Sequence, residues 1–164
     1  MGCDIHMYTE IYDERTKKWS SFDFFEANPY FGENDDDDEW VEPEYVVVAF
    51  DRDRWYEKFS ILSHGVRGEP EGPVAASQGF PEDANEALRT QYEQEGCDAH
   101  SANHMTVIQF RDLVAKYRLL QGDNSPLKDM HDKLNDHIIR KLKYNFKIKE
   151  QNYDHIRLVY WFDN

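Results

Sequence analysis

The first candidate for chemistry is a pair of side chains near the start of the sequence, Asp4 and His6. The surrounding residues alternate between apolar and polar from position 3 to position 12, which is typical of a half-buried strand. Positions two apart on a strand share a face, so Asp4 and His6 are expected side by side. Such a pair can ligate a metal ion, or the carboxylate can orient the histidine. A solvated strand face with neither role is the alternative.

A second candidate lies in the middle of the chain, where arginine, tyrosine and glycine occur together. Arg54 and Tyr56 stand at the start of a predicted helix, and Arg67-Gly68 follows its end. A guanidinium binds phosphate through a planar fork, a tyrosine ring stacks on a base, and a glycine lets the backbone approach. This combination favours a nucleotide-like ligand. Alternatively, the arginine side chains offset the acidic segment upstream, and the glycine serves only a turn.

A third candidate is a polar group just before another predicted helix: Asp98, His100, Ser101, Asn103 and His104. Polar side chains in a loop that enters a helix commonly line binding sites. The adjacent His100 and Ser101 do not predict a catalytic dyad, because a nucleophile and its base are usually distant in sequence. We expect them to supply hydrogen bonds to a ligand.

Hydrophobic periodicity predicts the elements that position these residues. Strands are expected at residues 3–12, 19–24, 45–50, 144–148 and 156–162. Helices are expected at residues 55–66, 82–95, 107–120 and 126–142. Asp51 or Asp53 is expected to cap the first helix. Pro81 is expected to open the second helix and Gly96 to end it. Thr106 and Gln109 fit a capping box at the third helix.

These elements predict the α+β class, with an antiparallel sheet formed by both chain ends and the central helices packed on one face. The 164 residues suit a single domain, 1–164, with an acidic loop at residues 28–44. The first and last strands are expected to be antiparallel neighbours, because unpaired terminal strands would fray. That pairing would bring Asp163 close to Asp4.

Charge and composition argue against several classes of protein. The formal net charge is −14, and eleven acidic residues but no basic one lie between Lys18 and Arg52. Duplex nucleic acid is therefore disfavoured as a partner, because binding it needs a basic face. No stretch reaches the roughly 18 apolar residues of a membrane span, and two cysteine residues make no disulfide framework. We expect a cytoplasmic protein with no membrane partner.

Several short motifs, spread nearly from end to end, point to one family. They are GCDIH at residues 2–6, Arg54-x-Tyr56-x-x-Phe59, Val66-Arg67-Gly68, Gly79-Phe80-Pro81-x-Asp83, His100-Ser101 and the ending Val159-Tyr160-Trp161-Phe162-Asp163-Asn164. In number and order they resemble the small GCDIH-type proteins of tailed bacteriophages and prophages. The resemblance implies an accessory protein in the host cytoplasm and no established activity. Gln78-Gly79-Phe80-Pro81 stands where the family pattern has Arg-Gly-Leu-Pro, and Asn103 stands where it has a second serine after His-Ser.

Three functions are compatible with these residues. The first is a non-catalytic, counter-defence protein that sequesters a host immune signal, a small anionic ligand derived from a nucleotide. Its pocket would consist of Arg54, Tyr56, Arg67, His100, Ser101 and Asp163. The second is a metal-dependent hydrolase or phosphodiesterase. It would hold its metal ion on Asp4, His6 and His100, and Asp98 or Asp163 would act on water.

The third function is an acidic mimic of nucleic acid, in which residues 35–39 block the basic groove of a host protein. A short charge run is more often a solvated loop. The sequence assigns no cofactor, and it leaves a homo-oligomer open.

Overall fold

A four-stranded antiparallel sheet forms the centre of the fold in the computed structural model, which describes residues 2–32, 43–144 and 154–163. Its strands are β1 (Ile5–Asp13), β2 (Lys18–Ser21), β5 (His100–Thr106) and β6 (Ile156–Phe162), in the order β2-β1-β6-β5. A second, two-stranded antiparallel sheet pairs β3 (Phe25–Ala27) with β4 (Tyr45–Val47). The first and last strands are antiparallel neighbours, as predicted.

Four α-helices are found among the described residues between the terminal strands. They are α1 (Tyr56–Leu62), α2 (Glu86–Glu95), α3 (Val107–Gln121) and α4 (Lys128–Tyr144). Together with the antiparallel sheet, they confirm the predicted α+β class. No helix in the described part of the chain is long and apolar enough to span a membrane.

Apolar side chains cover the sheet on both faces. The larger cluster packs α1, α3 and α4 against β1 and β6, and its members include Met7, Phe59, Phe110, Leu134 and Tyr160. The smaller cluster lies on the opposite face and includes Tyr8, Leu88 and Trp161. Helix α2 therefore adds a second covered face to the expected one. All seven residues of β6 are buried, as a strand covered on both sides requires.

Three local features differ from the sequence-based expectation. Helix α1 has no side-chain cap, because it begins at Tyr56 with Trp55 at the N-cap position, beyond Asp51 and Asp53. Asp51 pairs instead with Lys58 at 2.7 Å, both side chains being fully buried, and Asp53 pairs with Lys133. Helix α2 begins at Glu86 rather than residue 82, where the Asn85 side chain accepts a hydrogen bond from Leu88 N. Strand β5 lies where only a polar loop was expected, because its alternation is masked by polar residues on both faces.

Other local predictions are confirmed. Thr106 and Gln109 form the predicted capping box at the start of α3. Gly96 ends α2 with a φ of 56°, a conformation that glycine adopts without strain. The expected strand at residues 144–148 falls almost entirely outside the described residues, as does most of the acidic loop, including residues 35–39.

Candidate functional site

The start of α2 is held on the sheet by a charged cluster centred on the buried Glu10 and Arg157. Glu10 is fully buried and accepts hydrogen bonds from Asn85 N and Nδ2, at 2.7 and 2.8 Å. Arg157 donates to Glu10 Oε2 at 2.6 Å and to Asp83 Oδ1 at 2.8 Å. These contacts attach the helix N-terminus to neighbouring positions on β1 and β6. We call Glu10, Asp83, Asn85 and Arg157 the clamp.

The length of α2 then determines which part of β1 lies beside its C-terminal end. Ten residues of helix extend about 15 Å. From Glu10 back to His6, four residues of β1 cover about 13 Å. The last residue of the helix, Glu95, consequently lies at the level of His6 on the same face of the sheet.

Glu95 meets His6 and Asp163 at this end of the sheet. One potential ligand atom of each residue lies within 4.8 Å of those of the other two. His6 Nε2 donates to Asp163 Oδ2 at 2.9 Å, and the imidazole is stacked on Trp161 with an angle of 7° between the planes. All three side chains are partly accessible to solvent. We call His6, Glu95 and Asp163 the sheet-end cluster.

The register of β1 and β6 explains why Asp163 joins His6. Ile5 is paired with Phe162, so Asp163 continues past the end of β6 beside Asp4. Asp163 N donates to Asp4 O at 3.2 Å, and Asp4 N donates to Asp163 Oδ1 at 2.8 Å. The predicted proximity of Asp163 and Asp4 is thereby confirmed.

Arg54 lies next to this cluster and is oriented by Asp4. Its Nη2 donates to Asp4 Oδ2 at 2.8 Å, and its Nε donates to Asp4 Oδ1. The hydrogen-bonded guanidinium lowers the pKa of Asp4, and the Asp4 and Asp163 carboxylates in turn raise the pKa of Arg54. A Cβ at Gly2 would come within 2.9 Å of Arg54 Nη1, so the glycine leaves room for the guanidinium.

Tyr56 and Arg67 lie together in a different place, a cavity of about 320 Å³ between α1, the loop after it and α3. The Arg67 guanidinium lies over the Tyr56 ring, 5.4 Å from its centroid. Three carboxylates also line the cavity: Glu57, Glu69 and Glu71. We call it the tyrosine cavity. Arg54 is not among the residues that line it.

His100 and Ser101 are separated from the sheet-end cluster by the sheet itself. His100 is paired with Phe162 and its ring stacks on that side chain, whereas His6 is paired with the preceding residue, Trp161. Neighbouring residues of a strand point to opposite faces, so His6 and His100 do too. The predicted metal ligands Asp4, His6 and His100 therefore do not surround one point.

Ser101 lies at a β-bulge between His100 and Asn103, with a φ of 52°. Its hydroxyl is 3.0 Å from His100 Nδ1, while His100 Nε2 is buried without a hydrogen-bond partner among the described residues. The structure thus brings the predicted ligand-binding residues together in three places: Arg54 with Asp163, Tyr56 with Arg67, and His100 with Ser101.

Two residues that depart from the expected pattern, Gln78 and Asn103, contact each other. Gln78 N donates to Asn103 Oδ1 at 2.8 Å. The buried Asn103 also donates through Nδ2 to Ala76 O at 3.0 Å and to the Tyr160 hydroxyl at 3.1 Å. Both residues therefore attach the loop before α2 to β5, which is a structural role.

Glu95 is the site residue that sequence reasoning missed. It stands in the last turn of a predicted helix, where a glutamate ordinarily faces solvent, and no motif links it to His6. Once Glu10 and Asn85 are known to be in contact, the similar lengths of α2 and of the β1 segment from Glu10 to His6 indicate that Glu95 lies near His6.

No family model, curated protein or solved structure matches the chain.

Proposed function

We propose that the protein binds a divalent metal ion at the sheet-end cluster and, through that ion, a small anionic ligand derived from a nucleotide. One observation carries this proposal: ligand atoms of His6, Glu95 and Asp163 lie within 4.8 Å of one another. An imidazole with two carboxylates is a donor set that suits Zn²⁺ or Mn²⁺. On binding the ion, His6 would give up the hydrogen bond from Nε2 to Asp163, ligate through Nε2 and carry its proton on Nδ1.

The local charge explains why an anion would need the metal ion. Asp4 and Arg54 neutralise each other, which leaves the negative charges of Glu95 and Asp163 on the cluster. A phosphate would be repelled by these carboxylates, whereas a divalent cation offsets both of them. Arg54 binds Asp4 through Nε and Nη2, so Nη1 is available to donate to a phosphate oxygen.

The biological role that fits this proposal is sequestration of a nucleotide-derived immune signal by a phage protein in its host. The resemblance to GCDIH-type phage proteins supports the phage setting of that role. In this proposal His6, Glu95 and Asp163 ligate the metal ion, and Arg54 contacts the phosphate. Tyr56, Arg67, His100 and Ser101 lie elsewhere and do not contribute to it.

Metal binding is tested by calorimetry on chelator-treated, dialysed protein. We expect Mn²⁺ and Zn²⁺ to bind with a stoichiometry of one, and E95Q to bind each ion roughly tenfold or more weakly. The matched control is E93Q, which changes an exposed glutamate on the same helix. Equal affinity in the two variants, or no binding at millimolar metal, would contradict the proposal.

Ligand binding is tested on the Mn²⁺-loaded protein with cyclic nucleotides and ADP-ribose derivatives. We expect binding that is lost in chelator and weakened in R54Q. Chromatography of the recovered nucleotide distinguishes a binding protein from the alternative: intact ligand supports sequestration, and a hydrolysed phosphoester identifies a metal-dependent phosphodiesterase. Metal binding without affinity for any nucleotide would overturn the ligand assignment alone.

A further inference from the structure

The tyrosine cavity is a second concave site, independent of the sheet-end cluster. It extends from Tyr56 and Ser60 on α1, past the loop at residues 67–71, to Tyr117 and Gln121 on α3. At about 320 Å³ it has room for a small organic molecule.

The charges around the cavity favour a cation over an anion. Three glutamate side chains and one arginine line it, so its field attracts positive charge. Arg67 lies over the Tyr56 ring and occupies that aromatic face, so the attraction on a ligand cation comes from the glutamate side chains. Arg67 has a φ of 59°, which residues other than glycine rarely adopt, and the cavity wall therefore depends on an unusual backbone conformation.

Tyr117 supplies an observation that does not depend on the carboxylates. Its side chain is buried, with only 1% of the residue exposed, and it lines the cavity. The hydroxyl lies beside the Gly72 backbone but makes no hydrogen bond of good geometry to any described residue. A buried hydroxyl without a partner costs free energy, and a ligand that donates a hydrogen bond would satisfy its oxygen.

Burial and the nearby Glu71 carboxylate raise the pKa of Tyr117, so the phenol stays neutral at physiological pH. A neutral phenol oxygen accepts a hydrogen bond from an ammonium group. Gly72 lets the backbone pack closely on Tyr117, because a Cβ there would lie 3.0 Å from Tyr117 Cζ and 3.0 Å from Leu120 Cδ1.

We propose that the tyrosine cavity binds a small aliphatic di- or triamine. One ammonium group donates to the Tyr117 hydroxyl, and the others pair with the glutamate carboxylates that line the cavity. A phosphate-bearing ligand is disfavoured here by those same carboxylates. The inference does not rest on the metal-binding function proposed above.

Spermidine is the probe, titrated calorimetrically at low ionic strength in a chelator, so that metal ions do not contribute. We expect saturable binding with a stoichiometry of one. Y117F retains the ring and the net charge, and it should bind roughly tenfold more weakly because only the hydroxyl is lost. E71Q removes one cavity carboxylate and should also weaken binding, whereas E82Q removes an exposed carboxylate outside the cavity and should not.

Two results would overturn the inference. Equal affinity in Y117F, E71Q and E82Q would mean that spermidine binds an acidic surface without specificity. Tighter binding of AMP than of spermidine, with amide shifts at Gly68 and Gly72 in NMR spectra, would assign the cavity to a nucleotide instead. The thermal unfolding of each variant is measured first, and a variant that unfolds is replaced by the amide-shift measurement on the wild-type protein.

Discussion

Carboxylates meet basic side chains at both ends of α2, but their charges are compensated at the start of the helix and not at its end. At its start, the clamp buries Glu10 and pairs it with Arg157 at 2.6 Å. At its end, Glu95 and Asp163 meet only the imidazole of His6 within the cluster, and all three are partly accessible. Both ends lie on the same face of β1 and β6.

This difference separates a structural cluster from a candidate binding site. A buried carboxylate with its own guanidinium is compensated, and it needs no ligand from outside. Two carboxylates that share a solvent-accessible position with one histidine are under-compensated, and a metal ion would stabilise them. Residue type alone does not distinguish the two ends, but charge balance and burial do.

The largest effect is expected at the clamp. R157M would leave the fully buried Glu10 without its charge partner, and should reduce the free energy of unfolding by about 3–5 kcal/mol. Urea denaturation followed by circular dichroism measures this change. The double variant E10Q/R157M removes both charges and should recover more than half of the loss. A loss below about 1 kcal/mol in R157M would show that the clamp does not hold α2.

The next effect is expected at the sheet-end cluster when metal is present. Mn²⁺ at one hundred times its dissociation constant should stabilise the wild-type protein by about 2.7 kcal/mol. Thermal or urea unfolding with and without metal measures the gain. E95Q should show little gain, and without metal its stability should differ from wild type by less than about 0.5 kcal/mol, because Glu95 is only partly buried. Strong destabilisation of metal-free E95Q would show instead that the sheet-end cluster has a structural role, like the clamp.

A smaller effect is expected from the cap that joins the clamp to the helix. N85A removes the side-chain acceptor of Leu88 N, and should cost about 1 kcal/mol. Amide hydrogen exchange should become faster in the first turn of α2. Q94A, an exposed substitution near the helix end, serves as the control. Unchanged exchange in N85A would indicate that Glu10 alone sets where the helix begins.

The smallest effect is expected at the exposed pair beside the sheet-end cluster. Hydrogen bonds from Arg54 lower the pKa of Asp4 in the folded protein. The pair therefore adds stability above the unfolded pKa of about 3.9, and this stability is lost as the pH falls through the lower folded pKa. R54Q should raise the pKa of Asp4 in an NMR titration of its carboxyl carbon. R52Q, an exposed neighbour, should leave it unchanged; an equal shift in both variants would mean that the specific pair is unimportant.

Local sequence patterns were sufficient for much of the fold. The alternation in residues 3–12 predicted β1, Thr106 and Gln109 predicted the start of α3, and Gly96 marked the end of α2. The pairing of the terminal strands, and with it the contact between Asp4 and Asp163, also followed from the sequence. These features depend on residues close together in the chain or on a general property of sheets.

Tertiary packing decided the composition of the candidate site. Glu95 reaches His6 only because Glu10 and Arg157, which are 147 positions apart, hold the start of α2 on the sheet. His100 leaves the predicted metal set because pairing with Phe162 turns it to the other face. Arg54 and Arg67 have different partners because the loop after α1 places Arg67 over Tyr56 and not beside Asp4. Such placements arise from contacts between distant segments, which the local spacing of residues does not encode.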